Sequence, residues 1–483
     1  MSEKARSYRN TALLAISSVI NIVLSIIRNK VFAVYLGPAG IGLFGMLNDF
    51  FNSVHSFGSL GIANSGVHAI SQAKTKDDAE VRRVYNSFIL FFTTLSFILT
   101  IAVFAGAAVI SRILIGDESL SPLLRIACVV VLFRFRSAIY SVLITGLNRV
   151  GMLAKGVVLQ GVITTLIGVG LVMSIGIKGV SFFVIAIGLT GWLVGYMQSR
   201  QLVKELPVHR SRLSWKEMTP ILVLGISTLW SGLMEHTVNL TTKSWISHTF
   251  GKDYLGYYQV AIGFTLTYIS FITTSITTDY YPRLVTTVSK GPELVNEFVN
   301  QQIGVSMALI MPLLFIMLTF SKLFVSLLFS SEFLAAAPLI SYAVAGTFIR
   351  VVAWPIAYVF LAHRATKTYL LSETVGNGSM LLLSFLALQT GVFAFMGLAY
   401  VLHYVVYLVL ITVLYYKRFN GQIMPAQMRL FVLNGVIITL IIIAKVLVSE
   451  TITYVIGSAL ILFYFYRSRR EYIYMIRSIL KKR

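Results

Sequence analysis

The sequence predicts an all-α polytopic membrane protein. Two six-helix bundles, related by a pseudo-two-fold axis along the membrane normal, are followed by two extra C-terminal helices, about 14 transmembrane helices in all. Three observations predict it. Hydrophobic residues make up 57% of the 483-residue chain and charged residues only 12%, where soluble domains carry about a quarter. Apolar windows of about 18 to 25 residues, the length that a bilayer demands of a helix, recur along the whole chain without the alternation of barrel strands. The sequence also repeats itself at an offset of 214 residues: "YLGPAGIGLF" (Tyr35–Phe44) returns as "TFGKDYLGYY" (Thr249–Tyr258), placing Gly37 on Gly251 and Gly42 on Gly256.

The spans follow in order. Behind the basic start "MSEKARSYRN" the apolar stretch lacks a small-residue cleavage site, so 10–35 is expected to be a retained first span. The Gly–Pro corner separates it from a second at 40–69, because Gly37 can take a positive φ and Pro38 suits a first helical turn. Spans at 84–111 and 120–146 flank "ILIGDESL", and 153–176 and 179–199 complete the first six. The second six are expected at 219–249, 254–281, 299–320, 334–361, 370–390 and 392–416, with "LLFSSEFL" (Leu327–Leu334) superposing Glu332 on Glu118 and Arg350 on Arg136. Spans at 428–448 and 452–469 have no counterpart in the repeat. The expected organisation is thus an N-terminal bundle at 1–205, a cytoplasmic linker at 206–218, a C-terminal bundle at 219–416, and two helices with a basic tail at 417–483. Six spans is an even number, so both bundles start on the same side of the membrane.

The net charge of +22 could indicate nucleic acid, but its distribution indicates topology. Alternate connections hold 28 Lys and Arg, from Lys4 through the 200–216 loop to Arg483; the opposite connections hold Arg112, Lys178, Lys252 and Lys322. That asymmetry places both termini in the cytoplasm, and no nucleic-acid partner is expected. The lone Cys128 excludes disulfides and cysteine metal sites. The histidines lack the i, i+4 spacing of a helical metal site. No GxxxxGK[ST] motif is present, and the outward connections are too short for a catalytic domain. Neither a cofactor nor enzymatic activity is expected.

Polar side chains fall on single helical faces. Ser17, Asn21, Ser25 and Arg28 line the first span, and the repeat sends them to Ser231, Glu235, Asn239 and Thr242. Asn48, Asn52, His55, Ser56 and Ser59 line the second span; Thr267, Ser270, Thr274 and Thr277 line the eighth. Lipid cannot solvate such faces, so they meet one another or line a wet cavity. The third, fifth, sixth and ninth spans are apolar along their middles and are expected to face lipid. Cations inside the spans, Arg28, Lys30, Arg134, Arg136, Lys243 and Arg350, outnumber the carboxylates Asp49, Glu235 and Glu373. A central charge costs at least about 2.5 kcal/mol on insertion scales, so a cationic surplus points to an anionic cargo. The planar fork of arginine suits a phosphate or diphosphate. Arg134 and Arg136 lie on nearly opposite helix sides, and the repeat favours Arg136 as the inward one. Pairing of Arg28 with Asp49 is the structural alternative. Lys30, Arg125 and Lys445 lie nearer their span ends, where they can snorkel.

"VFAVYLGPAGIGLFGMLNDF" at the first corner, together with "LLFSSEFLAAAPLI" in the second half, resembles the Wzx-type O-antigen flippases. These form the polysaccharide-transporter branch of the multidrug/oligosaccharidyl-lipid/polysaccharide exporter superfamily. The resemblance covers about 1–416. It implies two bundles around a cationic central cavity and alternating access in the bacterial inner membrane. The implied cargo is undecaprenyl diphosphate carrying a short oligosaccharide, with a polysaccharide polymerase and chain-length regulator as partners. Arg28 and Asp49 are the residues at matching positions. The last two helices exceed the twelve spans usual for that branch and resemble the extra pair of lipid II flippases. A multidrug or organic-cation exporter of the same superfamily is the alternative, as is a lipid II flippase; the exporter would call for a carboxylate-rich cavity.

Overall fold

The computed structural model describes the backbone over residues 3–207 and 215–480; side chains before residue 16 (except Leu13), in parts of 224–278 and from 470 onward are outside the description. The expected linker at 206–218 lies mostly outside it too. Every regular element described is helical. Nine stretches of the described residues are long and apolar enough to cross a membrane, and that of 56 residues at Val150–Glu205 holds two helices. Large apolar side chains such as Ile101, Leu166 and Leu462 are about two-thirds exposed, as a surface solvated by lipid requires.

The chain divides into two compact units, Met1–Gly256 and Tyr257–Arg483. The first contains α1 (Glu3–Gly58), α2 (Ile62–Lys76), α3 (Asp78–Ile115), α4 (Ser121–Ala127), α5 (Val130–Gly146), α6 (Val150–Ile175), α7 (Gly179–Glu205) and α8 (Trp215–Thr249), and the boundary falls inside α9 (Lys252–Val288). α1 runs through the first corner as a kinked pair, bent at Gly37 with φ 64° ahead of Pro38. Its second arm ends at Gly58, earlier than expected: Leu60 and Gly61 both take positive φ, and α2 starts after them.

Repetition of the corner has a spatial reason. Gly37 and Gly251 (φ 98°) supply the backbone reversal. Gly42 and Gly256 supply room: a Cβ on Gly42 would sit 2.8 Å from the Gly256 nitrogen, and one on Gly256 would sit 2.0 Å from the Pro38 carbonyl oxygen. The two copies of the corner therefore meet backbone to backbone. Gly256→Val should cost about 1–3 kcal/mol or more, since backbone cannot move aside as a side chain does. Thermal unfolding of the solubilised protein measures this, and Gly232→Ala, at a glycine with open space around it, is the matched control.

A zipper fixes α8 against the end of α3. Ser244 and Ser247 donate to the carbonyls of Ile113 and Ile115 at 2.6 and 2.8 Å, and His248 Nε2 lies 3.0 Å from the Arg112 carbonyl. The Ile113 and Ile115 carbonyls belong to the last turn, which α3 leaves without helical partners, whereas the Arg112 carbonyl also accepts from the Gly116 N–H at 3.1 Å. Beside them Lys252 Nζ donates to Asp117 at 2.5 Å. That hydrogen bond, followed by those from Ser119, lowers Asp117 to about 2 from its usual 3.8. A depressed carboxylate stabilises the fold above its unfolded value and loses that contribution as pH falls through the folded one. The Asp117→Asn deficit in melting temperature should accordingly be constant from pH 7 to about 5 and shrink only in stronger acid.

The second unit holds the rest of α9, α10 (Pro292–Thr319), α11 (Ser321–Leu328), α12 (Ala337–Ala362), α13 (Thr366–Gln389), α14 (Ala394–Phe419), α15 (Pro425–Leu447) and α16 (Glu450–Leu480). α10 corrects the expectation that the ninth span faces lipid. Its most apolar window is 67% buried, because α12, α15 and α16 all pack on it. A helix that is apolar all round fits a core as well as it fits lipid.

Candidate functional site

The polar face on the second arm of α1 meets two other helices of the first unit. Asp49, about 18 Å along the helix from the Gly37 kink at 1.5 Å per residue, forms an ion pair with Lys243 of α8. Asn239, one turn earlier on α8, donates to the same carboxylate oxygen at 3.2 Å. Lys243 is 5% exposed. The zipper explains why it points here: with Ser244 and Ser247 held on α3, the adjacent Lys243 is turned to α1.

Arg134 approaches the neighbouring part of the same face. Its two terminal nitrogens donate to the side-chain oxygens of Asn52 and, at 2.9 Å, Asn48, one helical turn apart on α1. Its Nε is buried and bonds to no protein atom. Rotation of α5 is set by α7, where Gly188, Gly191 and Gly195 receive Val130 and Phe133, then Ser137, then Tyr140. This small-residue seam permits close helix approach. It turns Arg134 toward α1 and leaves Arg136 near Tyr85 and Tyr140. Within this unit Arg134, and not the repeat-favoured Arg136, joins the polar face. His55 lies a turn beyond Asn52, its ring edge-on to Phe135 at 5.1 Å, with a buried Nε2 that has no partner.

Arg28 stands apart from Asp49. Its guanidinium lies 5.4 Å from the centroid of Phe183, within an aromatic group where Phe32, Phe44 and Phe183 have centroids 5.0–5.6 Å apart. The structural alternative of an Arg28–Asp49 pair is thus replaced by Lys243–Asp49. Asn21 faces α6: its amide reaches the Val157 carbonyl at 3.5 Å, and a Cβ on Gly161 would collide with its oxygen. Lys30 is half-buried two turns before the kink. Glu235 is exposed on α8, without a hydrogen bond or ion pair among the described residues. The polar positions of the eighth span, Thr267, Ser270, Thr274 and Thr277, have side chains outside the described residues.

In the second unit, Arg350 of α12 lies over Tyr404 of α14 at 5.9 Å. Tyr407 donates to Glu373 of α13 at 2.8 Å, and His403 contacts Ser379 at 3.1 Å. Sequence reading missed the tyrosines here, although Tyr400, Tyr404 and Tyr407 recur at helical spacing on α14. Chemically, the first unit's face offers guanidinium, ammonium and amide groups around a single carboxylate. Such a donor set suits an acceptor-rich anion.

The sequence profile of the family described as polysaccharide biosynthesis protein matches residues 31–338, more than half of the chain. The chain belongs to this polysaccharide biosynthesis family. As a member it is similar to the lipid III flippase of Escherichia coli K12, 22% identical over 371 residues that span 74% of this chain and 86% of that protein. Its fold is that of the lipid II flippase MurJ in an inward closed conformation: TM-score 0.74, 16% identity, 96% of this chain and all of the other. An inward-facing multidrug resistance transporter of the MATE family superposes at TM-score 0.61 with 14% identity, covering 83% of this chain and 99% of that one. This family member is a multi-pass membrane protein with the transporter fold of the superfamily that the sequence resembles.

Proposed function

We propose that the protein is a flippase in the bacterial inner membrane. It moves an undecaprenyl-diphosphate-linked oligosaccharide, an O-antigen or similar repeat unit, from the cytoplasmic to the outer leaflet by alternating access, with both termini cytoplasmic. One observation carries this reading: Arg134 and Lys243 converge on a face of α1 that holds one carboxylate, Asp49. The surplus charge and the free Arg134 Nε suit a diphosphate, while Asn48, Asn52 and Asn239 can replace the hydration of sugars during passage. Family membership and the likeness to the lipid III flippase support a lipid-linked glycan as cargo. A polymerase and chain-length regulator are the partners that such a cargo calls for. An exporter of organic cations fits less well, because it calls for a carboxylate surplus.

Lipid II as cargo is the second reading. The likeness to the lipid II flippase extends over 96% of the chain, beyond a twelve-helix body, and lipid II is likewise a diphosphate. Deletion in the native host distinguishes these readings by which lipid accumulates. A completed lipid-linked repeat unit, with loss of surface polymer, supports the proposal; accumulated lipid II with arrested wall synthesis supports the second reading. Unchanged lipids with new sensitivity to cationic dyes would overturn both.

A further inference from the structure

Lys445 is a cation that the transport reading does not use. It lies two residues before the α15 terminus Leu447, half-buried, and it turns inward instead of snorkelling out. Its Nζ donates to Ser321 Oγ at 2.6 Å and Ser341 Oγ at 2.9 Å, which uses two of its three N–H bonds. Among the described residues no carboxylate stands at ion-pair distance. Glu450 is close, but its two oxygens are taken by Lys322 at 3.2 Å and by the Tyr454 hydroxyl.

A cavity of about 60 Å³, room for roughly four waters, opens beside it. Lys445, Lys322, Ser321, Thr319 and Tyr454 are in its wall, and so is Glu450, whose two oxygens are already engaged by Lys322 and Tyr454. Thr319 is 2% exposed, and its hydroxyl has no hydrogen-bond partner. Ser321 accepts from Lys445 and keeps its own hydroxyl proton to donate. The wall therefore presents the third ammonium proton, two hydroxyls and a second lysine against one carboxylate, Glu450, which leaves it one positive charge in excess. A metal ion would be repelled by it, and a neutral ligand would leave the Lys445 charge uncompensated. Apolar side chains continue from its rim, with Val446, Leu447 and Leu323 between 51% and 77% exposed.

We propose that this cavity, between the α10–α11 junction and the α15–α16 junction, binds the phosphate of a membrane lipid headgroup while Val446, Leu447 and Leu323 contact the lipid's chains. The site gives the last two helices a role that does not depend on the nature of the transported cargo. Free phosphate shares the headgroup's chemistry and is the other source.

The test is thermal unfolding of the full chain in detergent with added phosphatidylglycerol, with diacylglycerol of the same tails, or with inorganic phosphate. Phosphatidylglycerol at ~100 times its dissociation constant should raise Tm by about 2–4 °C, and diacylglycerol should not. In Lys445→Met, a volume-conserving change that removes the buried charge, binding should weaken by about tenfold or more. Thr319→Val keeps both lysines and should weaken binding severalfold, so it decides the matter should Lys445→Met fail to fold. A shift with phosphatidylglycerol alone assigns a lipid headgroup; a shift with inorganic phosphate, with or without the lipid, assigns a phosphate site open to water. No shift with either, or shifts unchanged in the variants, would overturn the proposal.

Discussion

Lys243→Met should destabilise the protein by about 3–5 kcal/mol, because it strands the Asp49 carboxylate inside the first unit. Lys243 and Asp49 side chains are only 6% and 19% exposed, so solvent does little to screen the orphaned charge. Pairing Lys243→Met with Asp49→Leu should recover most of that stability, since an apolar pair of similar volume avoids desolvating two ions. Transport should not recover with it. Asn239 would lose its acceptor, and the face would lose a cation that the cargo needs. A double-mutant cycle of denaturant unfolding, run beside a surface-polysaccharide assay, separates the two effects. Recovery of both stability and transport in the double variant would mean that the pair only braces α1 against α8.

Arg134→Ala should lower the transport rate by about a hundredfold while costing less stability than loss of Lys243. The guanidinium bonds two amides, and each hydrogen bond from a charged donor is worth roughly 1.5–3 kcal/mol. Removing it leaves Asn48 and Asn52 uncharged and able to rebond, so the fold tolerates the change. A diphosphate loses the one guanidinium that this face offers among the described residues. Arg134→Lys restores charge but cannot span both amides, and it should recover only part of the rate. Arg136→Ala, two residues from Arg134 on α5 and near Tyr85 of α3 and Tyr140, should leave the rate nearly unchanged and serves as the internal control. Transport of a lipid-linked glycan by these three variants in a deletion strain measures the effect.

Helical content, membrane residence and the repeated corner were legible because each is written in local sequence. Apolar run length reports span length directly, and Gly37, Gly42, Gly251 and Gly256 stand where side chains would clash or strain the backbone. Polar faces were also legible, since Asn48, Asn52 and His55 are set at one helical period. What each face meets was not. The Asp49–Lys243 pair joins residues 194 positions apart, and only the α8–α3 zipper decides which cation reaches the carboxylate. Arg134 and Arg136 could not be ranked by their own helix, because the glycine seam on α7 sets the rotation of α5. Pairing positions through the repeat chose Arg136 for its match to Arg350, a register that carries no information about rotation. Burial of α10 escaped notice for a related reason: an apolar helix reads the same against lipid and against α15 and α16. Asn21 shows the opposite failure, a polar side chain on the expected face whose role is to dock on Gly161.

Purified protein in liposomes loaded on one side with a fluorescent undecaprenyl-diphosphate oligosaccharide, with an impermeant quencher outside, reports movement between leaflets. Wild type should expose or protect the label at a rate well above protein-free liposomes, and Arg134→Ala should fall close to that background while remaining folded. Equal rates for wild type and Arg134→Ala, or movement of organic cations in place of the lipid, would contradict a diphosphate path along the Arg134, Lys243 and Asp49 face.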